Sequence, residues 1–175
     1  MLEAAVSVFH KKGYASASIQ DVAAEVGVLK GSLYHYIDSK EDLLARIFEE
    51  SAGHFTAMLE EASGLDERPV ERLRSFARAC SLWYLQNIER LAIYVTEWKH
   101  LTGKRRKEVV LIREDYERRL ASLIGEVVEA GEASPQLDVN FATYFIFGAL
   151  NGLPAWYRRR GYASTSSPRA SSTRR

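Results

Sequence analysis

The sequence predicts an all-α protein. Apolar residues recur at i, i+3, i+4 and i+7 from Leu2 to about Trp156, and Gly, Pro and capping residues punctuate the breaks between those runs. No stretch shows the period-two alternation of a half-buried strand. With 175 residues, 46% hydrophobic and 27% charged, the chain is long enough for a sizeable core and is neither disordered nor fibrous in composition.

Leu2, Ala5, Val6 and Phe9 form the stripe of a first helix that Gly13 closes, with Tyr14 folding back on it. Ser18 stands three residues before Asp21, so its oxygen can accept from the free N–H groups that open a helix at Ile19. Ile19, Val22, Ala23 and Val26 then make one apolar face, and Gly27 supplies the left-handed residue that ends the helix. A second segment follows at once, Leu29 to Tyr36. It carries Lys30, Gly31, Ser32, Tyr34 and His35 on its outer side and leaves Leu33, Tyr36 and Ile37 to anchor it. A surface of donors and small groups suits phosphate oxygens and base edges in a major groove, and Gly31 permits close approach. Ser39 with Asp42 repeats the capping pattern, and a helix runs from Lys40 to about Ala62 with Leu44, Ile47, Phe48, Phe55, Met58 and Leu59 inward. A lysine in the first turn opposes the helix dipole but sits well for a phosphate.

Ser63 to Asp66 forms a turn, and Pro69 suits the first turn of a helix reaching about Asn87, with Leu73, Phe76, Ala77, Cys80, Trp83 and Tyr84. The spacing predicts a shorter helix over Leu91 to Leu101, carrying Tyr94, Glu97 and Trp98, broken by Thr102-Gly103. A long amphipathic helix spans Lys104 to Glu129, with Val109, Ile112, Tyr116, Leu120, Leu123, Ile124 and Val127 on one face. Gly131 ends it, and Asp138 is placed to cap a last helix, Val139 to about Trp156. Arg158 to Arg175 holds six arginines and no acid among Ser, Thr, Ala and Gly, a composition that predicts disorder. The expected division is 1–47, 48–157 and the basic tail 158–175.

Charge alone does not point to nucleic acid. The net charge is +1, and residues 1–47 carry Lys11, Lys12, Lys30, Lys40 and Arg46 against Glu3, Asp21, Glu25, Asp38, Glu41 and Asp42. The single Cys80 excludes an internal disulfide and fits a reducing, cytoplasmic setting. No signal peptide or membrane span is expected, since the most apolar run, Phe141 to Trp156, is short and interrupted by Gly148, Asn151, Gly152 and Pro154. The four histidines show no metal spacing, and no nucleophile elbow, zinc-protease or nucleotide motif is present, so neither a metal nor a cofactor nor an enzymatic activity is expected.

The ordered set Gly13-Tyr14, Ser18-Ile19, Asp21-Val22-Ala23, Val26-Gly27-Val28, Lys30 through Tyr36 and Ser39-Lys40-Glu41-Asp42-Leu43-Leu44 resembles the N-terminal domain of TetR-family transcriptional regulators. The likeness in motif covers about Leu2 to Phe48. In that family the first helix usually begins earlier, after a basic arm, and one more amphipathic helix usually helps form the dimer. The resemblance implies a homodimer with a three-helix DNA-binding domain and a helical effector domain, bound to a near-palindromic double-stranded operator and released by a small apolar or acyl-type effector. Ser18, Tyr34, His35 and Lys40 would then contact phosphates. Leu29 to Tyr36 would lie in the major groove, with Lys30, Gly31 and Ser32 closest to base edges. The dimer surface would be formed by Val139 to Trp156 and its neighbours.

The aromatic residues Trp83, Tyr84, Tyr94, Trp98, Tyr116, Phe141, Tyr144, Phe145, Phe147 and Trp156 serve equally as plain core or as the lining of an effector cavity. Glu97, Arg113 and Asn151 would be the polar groups of such a cavity and Gly148 a space-giving member of its wall. The run Lys104-Arg105-Arg106-Lys107, like Arg158 to Arg160, is either a solvated surface or a dock for the phosphates of an acyl-coenzyme A, which some lipid-responsive members bind. The competing reading is a helical ligand-binding or interaction protein that does not read DNA.

Overall fold

A computed structural model describes residues 1–157, and the side chain of Trp156 and all of 158–175 lie outside what it describes. The expected disorder of the arginine-rich tail and the docking role of Arg158 to Arg160 therefore fall outside the described residues. Helices α1 (Leu2–Lys12), α2 (Ile19–Val26), α3 (Lys30–Leu33) and α4 (Lys40–Ser63) are followed by α5 (Pro69–Gln86), α6 (Ile88–Thr96), a short 3₁₀ turn at Trp98–His100, α7 (Gly103–Glu129), α8 (Val139–Asn151) and α9 (Leu153–Tyr157). The described residues contain no strand.

Local signals account for most of these limits. Ser39 accepts from the Asp42 N–H and Asp138 from the Phe141 N–H, which fixes the starts of α4 and α8. Pro69 opens α5, where its missing N–H costs nothing. The helix expected over Leu91 to Leu101 is displaced: it starts at Ile88, its first turn sharing Asn87 with the end of α5, and gives way to the 3₁₀ turn after Thr96. The last helix, expected to run unbroken to about Trp156, ends instead at Asn151, and Gly152 separates it from α9.

One continuous core joins both halves. Ala5, Phe9, Val22, Ala23, Leu33 and Ile37 pack under the N-terminal module, and Leu43, Leu44, Ile47, Phe48, Phe55 and Leu59 carry the same core along α4. Helix α4 lies against α5, α6 and α7, α7 against α8, and α1 against α6. Helix α4 thus takes part in both halves of the molecule, while α6 touches α1 of the first half and α4, α5 and α9 of the second.

Candidate nucleic-acid interface and ligand cavity

The N-terminal surface is built on α2. The Ser18 hydroxyl accepts from the Asp21 N–H at 3.2 Å while the Asp21 carboxylate accepts from the Ser18 N–H at 2.9 Å and from its hydroxyl at 2.8 Å. Lys12 closes on the same carboxylate at 2.6 Å. This partner, followed by the Ser18 bonds, holds the Asp21 carboxyl down to about 2. Ser18, expected at a phosphate, therefore has both its hydroxyl and its N–H engaged in the cap.

Gly27 ends α2 in the left-handed region, φ 79° and ψ 29°, and the Val28 N–H returns to Ala23 O at 3.0 Å. The chain re-enters as α3, only four residues long, and continues as turns through Tyr36. Leu33 and Ile37 are buried anchors. Leu29, Lys30, Gly31, Ser32, Tyr34 and His35 all face outward, with Leu29 81% exposed. A Cβ at Gly31 would meet nothing within 4 Å, so no internal packing demands glycine there. Tyr36 was expected to anchor the segment and does not: it is 67% exposed. Leu33 and Ile37 lie four apart and fill the anchoring face, which leaves Tyr36 on the outer surface.

Lys40 is the main departure on this side. Its ammonium donates to the carbonyls of Tyr14 (2.8 Å), Ala15 (3.3 Å) and Ala17 (2.8 Å) and lies 4.4 Å from the centroid of the Tyr14 ring. All three of its donors are directed at carbonyls of the α1–α2 connection. In this structure Lys40 staples that connection to the start of α4 instead of standing free for a phosphate.

Three further contacts tie the N-terminal module to the remainder. Glu41 accepts from the Thr102 N–H (2.6 Å) and hydroxyl (3.0 Å). Arg105 pairs with Asp42 at 3.1 Å and Asp38 at 3.9 Å. Arg90 of α6, 4% exposed at its side chain, pairs with Glu50 of α4 at 3.1 Å and with Glu3 of α1. The run Lys104 to Lys107 is accordingly not one uniform patch. Arg105 is turned to α4, Lys104 faces Glu108 at 3.5 Å, and Arg106 lies over the Trp98 ring at 5.0 Å.

Between α4, α6, α7 and α8 lies a cavity of about 280 Å³. Phe48 forms the α4 wall, and Tyr94, Val95 and Trp98 line it from α6 and the turn that follows. Helix α7 contributes Val109, Val110, Arg113, Tyr116 and Glu117. Tyr144, Phe147, Gly148 and Asn151 complete it from α8. The Tyr94 and Tyr116 hydroxyls are 2.8 Å apart, Arg113 Nε donates to Glu117 at 2.8 Å, and the Tyr84 hydroxyl donates to the Asn151 amide oxygen at 3.2 Å. Burial pushes the Tyr94 and Tyr116 phenols up, so both stay neutral.

Tyr94, Trp98, Arg113, Tyr116, Tyr144, Gly148 and Asn151 thus meet as expected at one cavity wall. Five expected residues lie elsewhere. Tyr84 is buried behind the wall, where it reaches the cavity only through Asn151. Trp83 packs on His54 and Phe55. Glu97 pairs with His100 at 3.2 Å, and Phe141 and Phe145 point outward, 67% and 68% exposed. Of the residues not foreseen, Glu117 was legible as the i+4 partner of Arg113, and Phe48 was already assigned to the inner face of α4. Val95, Val109 and Val110 carry no signal that separates cavity wall from ordinary core. Among the described residues no group of three His, Cys, Asp or Glu side chains could hold a metal, and no helix is long and apolar enough to cross a membrane.

Comparison with known proteins bears on both sites. Residues 1–47 match the family described as bacterial regulatory proteins, tetR family, and residues 66–167 match the tetracyclin repressor-like C-terminal domain. The HTH-type transcriptional repressor KstR2 of Mycobacterium tuberculosis is 26% identical over 162 residues, covering 92% of this chain and 81% of its own. The fatty acid metabolism regulator protein of Bacillus subtilis is 29% identical over 153 residues, covering 86% and 78%. Among solved structures, the TetR-family regulator PfmR of Thermus thermophilus superposes with a TM-score of 0.84 at 30% identity, covering 93% of this chain and 88% of that one. AibR in complex with isovaleryl coenzyme A and operator DNA gives 0.82 at 26% identity with the same coverage. The chain belongs to the TetR family of bacterial regulatory proteins.

Proposed function

We propose that the protein is a sequence-specific transcriptional repressor that binds a near-palindromic operator as a homodimer and is released by a small apolar or acyl-type effector held in the α4–α6–α7–α8 cavity. One observation carries this reading: α4 follows the reading segment directly in the chain, its first turn is fixed to the α1–α2 connection by Lys40, and it forms a wall of the cavity at Phe48. A ligand that favours one setting of α4 therefore acts on the orientation of Leu29 to Tyr36, by no more than its differential affinity for the two settings. Two reading segments in a dimer would fix the half-site spacing. The outward phenylalanines of α8, Phe141 and Phe145, support the pairing of two copies, since large exposed apolar side chains on one helix mark an interface.

The relatives are transcriptional regulators, and the AibR structure pairs operator DNA with an acyl-coenzyme A. For this chain, a cavity of about 280 Å³ takes the acyl part only. The remainder of a coenzyme A would leave past Trp98, which is exposed and carries Arg106 over its ring. The setting is that of a cytoplasmic regulator without catalytic activity. Selection of bound duplexes from a random pool at stated salt tests the reading. Enrichment of a palindrome with two half-sites supports it; no enrichment by the folded dimer overturns it.

A further inference from the structure

The polar groups of the cavity specify what sort of head group it accepts, an inference that rests on reading the cavity as the effector site. Its one cation, Arg113, is already paired with Glu117, whose side chain is 19% exposed. The lining therefore carries one positive and one negative charge and offers no net attraction to an anion. A carboxylate placed among Phe48, Trp98, Val109 and Phe147 would lose its water and stand near a second carboxylate.

What the wall does leave over is hydrogen-bond donors. In the Tyr94–Tyr116 pair either oxygen can donate, and whichever does, the hydrogen of the other hydroxyl is not used between them. Asn151 accepts from Tyr84 with its amide oxygen, which leaves its NH₂ group on the cavity wall. Burial keeps both phenols protonated, so the free hydrogen is present throughout the physiological range. Size adds a second limit. About 280 Å³ is nearly twice the roughly 150 Å³ apolar cavity that takes up one benzene, so the buried part of an occupant has on the order of a dozen non-hydrogen atoms.

We infer that the cavity selects a compact apolar ligand bearing a neutral carbonyl, as in a short acyl thioester, and rejects the matching free carboxylate, with the Tyr94–Tyr116 pair as donor and Glu117 as the discriminating residue. The probes are the hexanoyl thioester of N-acetylcysteamine, which carries no phosphate, and hexanoate, each titrated calorimetrically against the full chain. The wild type is expected to bind the thioester at least about tenfold more tightly than hexanoate, the equivalent of one well-made hydrogen bond. Glu117→Gln keeps an acceptor for Arg113 and removes the charge, and should shift the ratio of the two affinities toward hexanoate by about tenfold. The double variant Tyr94→Phe/Tyr116→Phe removes both partners without changing the shape of the wall, so its thermal midpoint should hold while the thioester weakens by about tenfold. Equal binding of the two probes by the wild type, or no relative gain of hexanoate by a folded Glu117→Gln, overturns the inference and leaves the effector cavity standing. If the wild type binds neither probe, the acyl-effector reading fails together with it.

Discussion

At the scale of single residues, the N-terminal module depends on two charged side chains held by their neighbours. Lys40 shows how a residue with the right position for one task can be taken by another. Its place in the first turn of α4 suited a phosphate, but three carbonyls of the α1–α2 connection surround its ammonium. Lys40→Met should therefore lower the stability of the whole chain by about 2 kcal/mol, the loss of charge-assisted hydrogen bonds, as read from denaturant midpoints. A change confined to the salt dependence of DNA binding, with no loss of stability, would return Lys40 to the phosphates. Asp21 offers a pH test. Its carboxyl sits near 2 when folded, below the ordinary 3.8, because Lys12 and then Ser18 favour the charged form. A depressed folded value stabilises the fold above the ordinary pKa, and that contribution is lost as pH falls through the folded one. The gap in melting temperature between wild type and Asp21→Asn should accordingly be full above about pH 5 and close between about pH 4 and 2. A gap undiminished at pH 2 would contradict the assignment.

At the scale of elements, helix limits were legible wherever a cap stood in the sequence. Ser18, Ser39, Pro69 and Asp138 each opened the helix expected of them. Limits set by tertiary packing were not legible. Helix α6 begins at Ile88, three residues before the expected start, because Asn87 ends α5 and begins α6 with no turn between them. This displaced helix also carries Arg90, a buried arginine that no pattern in the sequence marks, between Glu3 of α1 and Glu50 of α4. Such a charge is held in place by its partners: Glu3→Ala/Glu50→Ala should cost about 3 kcal/mol by stranding the guanidinium, while Arg90→Met, which leaves two part-exposed carboxylates in water, should cost less. Chemical denaturation of the two variants decides the order, and the reverse order would mean that the arginine contributes by packing. The cavity residues divide in the same way. Aromatic and polar residues on the inward faces of α6, α7 and α8 were readable as a set, but Trp83, Tyr84, Phe141 and Phe145 share that composition and fall behind or outside the wall. Helical periodicity gives a face, and only the packing of neighbouring helices decides whether that face meets core, cavity or surface.

At the scale of the whole molecule, α4, α6 and the start of α7 tie the two halves together. Phe48 of α4 and Tyr94, Val95 and Trp98 on and after α6 line the cavity, while Lys40, Glu41, Asp42 and Arg90 on the same helices hold the N-terminal module in place. An occupant of the cavity that favours a new setting of these helices acts on the contacts that hold the N-terminal module in place. The coupling must also be reciprocal, since operator DNA weakens effector binding by the factor with which effector weakens DNA binding. The most direct measurement is the affinity of the folded dimer for its selected duplex, by fluorescence anisotropy at fixed salt, with and without a saturating short acyl thioester. The thioester is expected to weaken DNA binding by about tenfold or more, and DNA to weaken thioester binding by the same factor. Thioester bound in the cavity with the operator affinity unchanged would contradict it, and would leave a DNA reader and a ligand carrier that share a core but not a switch.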